Sequence, residues 1–181
     1  MAILKSKINI HNEKSKKNKE EMLSLIEQLL KHQEAGLFQG RDHQIARARK
    51  RKKFLARERI ELLLDEDSPF LELMPLAGMQ AKGFGPGGTS VSGIGLVQGK
   101  LCVINSNVGT RKGGSVDYST MAKSLRVGDI TLENKLPCIN LVESGGANLP
   151  DQARCFNIGG KGFRDITNRS KMGITTISIV F

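Results

Sequence analysis

The chain has no tryptophan, one tyrosine and no histidine after His43 in 181 residues. Those gaps weigh against several functions. Single-stranded nucleic acid is held largely by aromatic rings stacked on bases, and Phe54 is the one ring beside the chain's densest run of positive charge. Triad-type hydrolysis needs an imidazole next to its nucleophile, and His11, His32 and His43 all fall in the polar first quarter. No paired-carboxylate arrangement is visible either. Cys102, Cys138 and Cys155 are too few and too widely spaced for a disulfide framework or a paired-ligand zinc site. Cys102 and Cys138 lie in apolar runs, where a thiol serves as a small hydrophobe, and no metal is expected. No apolar run approaches the roughly 18 residues needed to cross a bilayer. The opening stretch is Lys-rich and shows neither an apolar signal core nor an Arg-rich, acid-poor pattern, so the expected compartment is the cytoplasm.

What is present is unevenly distributed. Residues 1–60 hold 16 of the 28 basic side chains and 7 of the 18 acidic ones, so they carry +9 of the net +10. The positive charge therefore belongs to an amino-terminal segment, and the Gly-rich remainder is nearly neutral. Division into a basic helical segment, 1–66, and an α/β body, 67–181, follows. The densest stretch is Arg47, Arg49, Lys50, Arg51, Lys52, Lys53, Arg57 and Arg59. It could bind nucleic acid, an acidic partner or the phosphates of a nucleotide-like ligand. A solvated helix face, partly paired with Glu58 and Glu61, is the plainer reading.

From Lys19 to Leu37, Met22, Leu25, Ile26, Leu29 and Leu30 recur with the period of one helical face. A second helical stretch is expected over Arg41–Asp65, with Ile60, Leu62, Leu63 and Leu64 docking on the body. A short strand over Phe70–Met74 and a Gly/Pro loop over Lys82–Ser90 follow. VSGIGLVQ and KLCVINSN, turning at Gln98-Gly99, read as a β-hairpin. Beyond it come a loop, a helix over about Tyr118–Asn134, a strand over Leu136–Glu143, a second loop, a helix over about Gly162–Met172 and a strand over Ile174–Phe181. That alternation is the signature of parallel strands with right-handed crossovers. LPCINLVE and ITTISIVF are almost continuously apolar, as strands covered on both faces should be. The chain stops inside an apolar strand with no polar tail, so the expectation is an incomplete domain.

The first two of the parallel strands each lead into a glycine pair. In SGGANLP, Gly145, Gly146 and Ala147 can offer consecutive N–H groups to an oxyanion or a thioester carbonyl; the alternative is a plain strand-to-helix turn. In TRKGGS, Arg111 and Lys112 stand beside Gly113 and Gly114 and could hold a phosphate or carboxylate, although an ordinary βα loop fits equally. The Walker spacing is absent.

The strings KFLARERIELLLDEDSPFLEL and PLAG (Lys53–Leu73, Pro75–Gly78) resemble the entry segment of acyl-CoA carboxyltransferase β subunits, the family of propionyl-CoA and methylcrotonoyl-CoA carboxylases. GIGLVQGKLCVINSNVGTRKGGS, ENKLPCINLVESGGANLP and NRSKMGITTISIVF continue the resemblance in order, over roughly residues 40–181. The resemblance implies a partial crotonase-like spiral of ββα units, preceded by amino-terminal helices. It also implies an oligomer and a biotin carboxylase or biotin carboxyl carrier partner. Carboxybiotin would yield its carboxyl group to the α or vinylogous γ carbon of an acyl-CoA, held as an enolate by backbone N–H groups. Biotin itself can take the proton lost from the acyl group, so such chemistry needs no histidine. By resemblance, Gly145, Gly146 and Ala147 would stand by the thioester, while Arg111, Lys112, Gly113, Gly114, Ser115 and Ser144 would line the coenzyme A side. SGGANLP resembles the methylcrotonoyl type more than the propionyl type, whereas DQARCFNIGGKGFRDIT departs from both. A third Gly-rich stretch, which in complete members follows the strand matching ITTISIVF, is absent, so the chain alone is expected to be inactive. The rival functions are a CoA-ester decarboxylase subunit and a non-catalytic basic interaction protein.

Overall fold

The computed structural model describes residues 6–81 and 84–181; the expected loop over Lys82–Ser90 is therefore described only from Phe84. Its helices are α1 (Glu13–Gly36), α2 (Asp42–Lys50), α3 (Ala56–Leu63), α4 (Tyr118–Asn134) and α5 (Gln152–Lys171). Its strands are β1 (Leu71–Glu72), β2 (Ser90–Val97), β3 (Lys100–Asn107), β4 (Cys138–Val142) and β5 (Thr176–Val180), in one sheet of that order. β1, β2 and β3 run antiparallel, while β3, β4 and β5 are parallel. The predicted hairpin turns where expected, with Gln98 at φ 51° and Gly99 at φ 72°, the left-handed pair of a type I′ turn. The Asp65 carboxylate accepts both of their N–H groups at 2.7 Å.

Period-two alternation gives each strand two different faces. Val91, Cys102, Ile104, Ile139 and Leu141 face α3 and bury Ala56 and Ile60. On the other face Val103 and Cys138 pack with Val127 of α4. A polar row shares that second face, where Asn105 donates to Asn140 at 3.1 Å and Asn140 to Ser178 at 3.3 Å. All three cysteines are buried, and burial pushes each thiol up from its ordinary value.

Several expectations need correction. Arg41–Asp65 is not one helix: the chain turns at Lys52, φ 56°, and α3 restarts under a cap in which the Leu55 N–H donates to Glu58 Oε2 at 2.7 Å. The break lets α3 lie on the sheet while α2 remains at its rim. Leu62 points outward at 68% exposure, in contrast to buried Ile60. The last helix begins ten residues earlier than expected, at Gln152. Gly159 and Gly162 do not break it, because they face Met121 and Leu125 of α4 and replace bulk where the two helices meet. β5 is not covered on both faces; as the sheet edge it is exposed along its whole length. α1 extends further toward the amino terminus than its periodicity indicated, its first turn capped by Asn12, and its stripe from Met22 to Leu30 is exposed.

Candidate functional site

The site lies at the carboxyl ends of the parallel strands, where a sheet of this kind leaves its loops free for ligands. The loop after β3 turns back through three successive left-handed residues, Lys112 (φ 50°), Gly113 (φ 65°) and Gly114 (φ 66°). The loop after β4 lies directly against it. Gly145 N–H donates to Gly113 O at 2.8 Å, Val116 N–H to Gly146 O at 2.8 Å, and Ser144 Oγ–H to Gly114 O at 2.8 Å. The two glycine pairs thus share one end of the sheet and one hydrogen-bond network.

That network decides which amides remain for a ligand. Gly145 N–H is engaged by Gly113 O and Gly146 N–H by Ser144 Oγ at 3.1 Å. Gly114 N–H is likewise engaged, by Arg111 O at 2.8 Å. The N–H groups of Gly113 and Ala147 make no hydrogen bond among the described residues, and both residues are exposed. Ser115 is bound into the loop: its Oγ–H donates to Lys112 O at 2.8 Å, and its carbonyl accepts from Thr89 Oγ1 at 2.6 Å. Arg111 is turned away from the expected anion position. Its guanidinium is buried over the Phe38 ring and donates to Pro86 O at 3.0 Å and Phe38 O at 3.4 Å. Burial pulls its pKa down from the ordinary value, with Asp117 opposing.

The cations that do meet the first loop come from α2 and the residues just after it. A cleft of about 360 Å³ is enclosed by His43, Arg47, Arg51 and Lys53 on one wall and by Gly109, Thr110, Lys112 and Gly113 on the other. Glu143 is the one acidic residue on its walls. The basic run splits in two. Arg49 pairs with Glu58, Arg57 with Glu72, and Lys53 and Arg59 with Glu143, whereas Arg47, Lys50, Arg51 and Lys52 form no ion pair among the described residues. Glu61 takes no part in the pairing expected of it. Among the described residues no cluster of three or more His, Cys, Asp or Glu could hold a metal ion.

A buried lysine supports the site from below. Lys123 of α4 is 2% exposed and donates to Ser90 O at 2.7 Å and Gly87 O at 3.3 Å, fixing the segment whose Thr89 holds Ser115. Burial pushes its pKa down to about 8, with Glu72 opposing and Arg57 and Arg111 assisting. The unfolded chain therefore binds more protons than the folded one between pH 8 and the ordinary lysine value, and this group's stability contribution grows as pH rises through that window. At pH 7.5 the burial penalty is fully present, on the order of 3 kcal/mol. Denaturant unfolding at pH 7.5 and pH 10 should show a gain with pH that Lys123→Met lacks; identical slopes would remove the burial argument.

The family model for the Carboxyl transferase domain matches residues 47–181. The chain belongs to that family. Relatives include "Probable biotin-dependent acyl-coenzyme A carboxylase beta2 subunit" of Mycobacterium tuberculosis, 54% identical over 125 residues, 69% of this chain and 23% of that protein. "Probable methylcrotonoyl-CoA carboxylase beta chain, mitochondrial" of Drosophila melanogaster is 44% identical over 98% of this chain and 32% of its own length. Among solved structures, the beta subunit of Pseudomonas aeruginosa geranyl-CoA carboxylase superposes with a TM-score of 0.83 at 36% identity, over 97% of this chain and 33% of that one. The chain thus spans a third or less of the length of these relatives. The mixed sheet with crossover helices is part of the crotonase-like fold of carboxyltransferase β subunits, as expected.

Within this carboxyl transferase chain, sequence reasoning located both glycine loops, placed Arg47 and Arg51 only in a basic run that could bind phosphates, and read Glu143 only as the end of a strand. A carboxylate between an apolar strand and a glycine pair, in a chain with an unpaired basic run, was the available signal.

Proposed function

We propose that the chain provides the coenzyme A side of a carboxyltransferase site, in which a biotin-dependent acyl-CoA carboxylase moves a carboxyl group from carboxybiotin onto an acyl-CoA. The observation that carries this reading is the cleft between α2 and the first glycine loop. A coenzyme A ester is a multiply charged phosphate ligand ending in a thioester, and the cleft pairs unpaired cations with free amides a loop's width away. Arg47 and Arg51 would hold phosphate oxygens as charge-assisted partners. The N–H groups of Ala147 and Gly113 would face the thioester carbonyl, where negative charge grows as the α or vinylogous γ carbon loses its proton. Of the residues expected to do this, Gly145 and Gly146 act in the proposal by holding the loops together, and Ser144 and Ser115 fix the same contact. Arg111 braces the loop from behind.

Carboxybiotin, on a carrier protein or domain, supplies the carboxyl group when bound; no residue of this chain is assigned to it. The SGGANLP form and the relatives named for methylcrotonoyl-CoA and geranyl-CoA support an unsaturated acyl group, carboxylated at its vinylogous γ carbon. A homo-oligomer is part of the proposal, supported by the transcarboxylase 12S core, described as a hexamer with methylmalonyl-coenzyme A bound, at 26% identity and a TM-score of 0.75. Cytoplasmic location is proposed as well; the Drosophila relative has a mitochondrial name. Calorimetric titration of the 181-residue chain with CoA and with 3′-dephospho-CoA tests the reading. CoA should bind with an affinity that falls as salt rises, and the dephospho form should bind more weakly. If millimolar CoA produces neither binding heat nor a thermal shift, the reading is overturned.

A further inference from the structure

Glu143 occupies a position that neither glycine loop explains. It is the residue between β4 and Ser144, and its carboxylate accepts from Lys53 at 2.7 Å and from Arg59. Arg59 is 5% exposed and its Nε and Nη1 have no hydrogen-bond partner among the described residues, so Glu143 is the carboxylate that compensates this buried cation. The same residue shapes the first loop twice. A Cβ at Gly109 would lie 2.6 Å from the Glu143 carboxyl carbon, and a Cβ at Gly114 would collide with the Glu143 carbonyl. One side chain thus touches the α2–α3 link, α3 and the start of the first loop, its own carbonyl abuts that loop's end, and the chain continues directly into the second loop. Burial favours the neutral form, but hydrogen bonds from Lys53 and Arg59 outweigh it and keep the carboxyl below its ordinary value. The charged form is therefore the one that does the holding at neutral pH.

We propose that Glu143 is the positioning residue of the cleft: its ion pairs with Lys53 and Arg59 set the spacing between the basic wall of α2 and the two glycine loops. This rests on the coenzyme A reading and deepens it. The phosphate end of a ligand needs Arg47 and Arg51 alone, whereas an ester must meet both those cations and the amides of Gly113 and Ala147, so only the longer ligand senses the spacing. Loss of Glu143 should separate those two affinities, which general destabilisation would not do.

The test is titration of the 181-residue chain, wild type and Glu143→Gln, with acetyl-CoA and with inorganic pyrophosphate, well below the melting temperature of each. The Gln variant should bind acetyl-CoA at least tenfold more weakly. Its pyrophosphate affinity should be unchanged or higher, because one negative charge has left the cleft wall. Glu143→Asp, which keeps the charge on a shorter arm, should fall between, and it decides the matter if the Gln variant does not melt cooperatively. Ester affinity within twofold of wild type in the variants, or parallel loss of both ligands, overturns the proposal. A wild-type chain that binds pyrophosphate but no ester overturns the coenzyme A reading, and this inference with it.

Discussion

Exchanging Arg47 and Arg51 together for glutamate is expected to weaken CoA binding at least a hundredfold while leaving the melting temperature nearly unchanged. Both side chains are exposed, both line the cleft, and neither forms an ion pair among the described residues. Their removal therefore breaks no contact of the fold. Hydrogen bonds to charged groups contribute roughly 1.5–3 kcal/mol each; two such losses plus introduced repulsion exceed the 2.7 kcal/mol or so that a hundredfold change requires. The control has the same charge change nearby: Lys50→Glu with Lys52→Glu. Those lysines belong to the same run but not to the cleft walls, and at 0.15 M salt charge effects fade within about 8 Å. Equal losses from the two pairs would mean that diffuse charge, not the cleft, attracts the ligand.

How much of this was legible depends on how local each signal is. The parallel strands and their glycine loops could be read directly, because a nearly continuous apolar run ending in a glycine pair is written within ten residues. The hairpin was equally local, since Gln98-Gly99 alone sets its turn. The turn at Lys52 was not. A lysine at φ 56° is left-handed only because α3 gains more by burying Ala56 and Ile60 than continuation of α2 would, and that gain comes from β2 and β3, some forty residues on. The start of α5 was missed for the converse reason: Gly159, Gly160 and Gly162 count as breakers in isolation, yet the small residues suit a helix that must lie close to α4. Arg111 stands beside a glycine pair and reads as a phosphate ligand. Its guanidinium is instead satisfied by the carbonyls of Phe38 and Pro86, and nothing in TRKGGS announces either one. Glu143 was read as the end of a strand, since pairing with Lys53 and Arg59 spans more than eighty residues.

Gly114→Ala is expected to be the most damaging single substitution in the cleft, and Gly113→Ala next to it isolates the reason. The two residues share nearly the same left-handed conformation, φ 65° and 66°, so an added methyl group meets the same backbone strain at each, about 1–2 kcal/mol. They differ in surroundings. At Gly113 a Cβ meets nothing within 4 Å, whereas at Gly114 it drives into the carbonyl of Glu143. A main-chain oxygen at the end of a sheet strand cannot swing aside as a side chain can. It moves only if the first loop leaves the second, and that breaks the bonds from Gly145 N–H to Gly113 O and from Ser144 Oγ–H to Gly114 O. Denaturant unfolding should therefore show a cost of about 1–2 kcal/mol for Gly113→Ala and on the order of 4 kcal/mol for Gly114→Ala. Acetyl-CoA binding should survive the first, weakened, and disappear with the second, since the contact that holds the two loops and their free amides at one end of the sheet is then lost. Equal costs at the two positions would mean that the contact between the glycine loops does not hold the site together, and a coenzyme A ester would have no preformed pair of amides to bind.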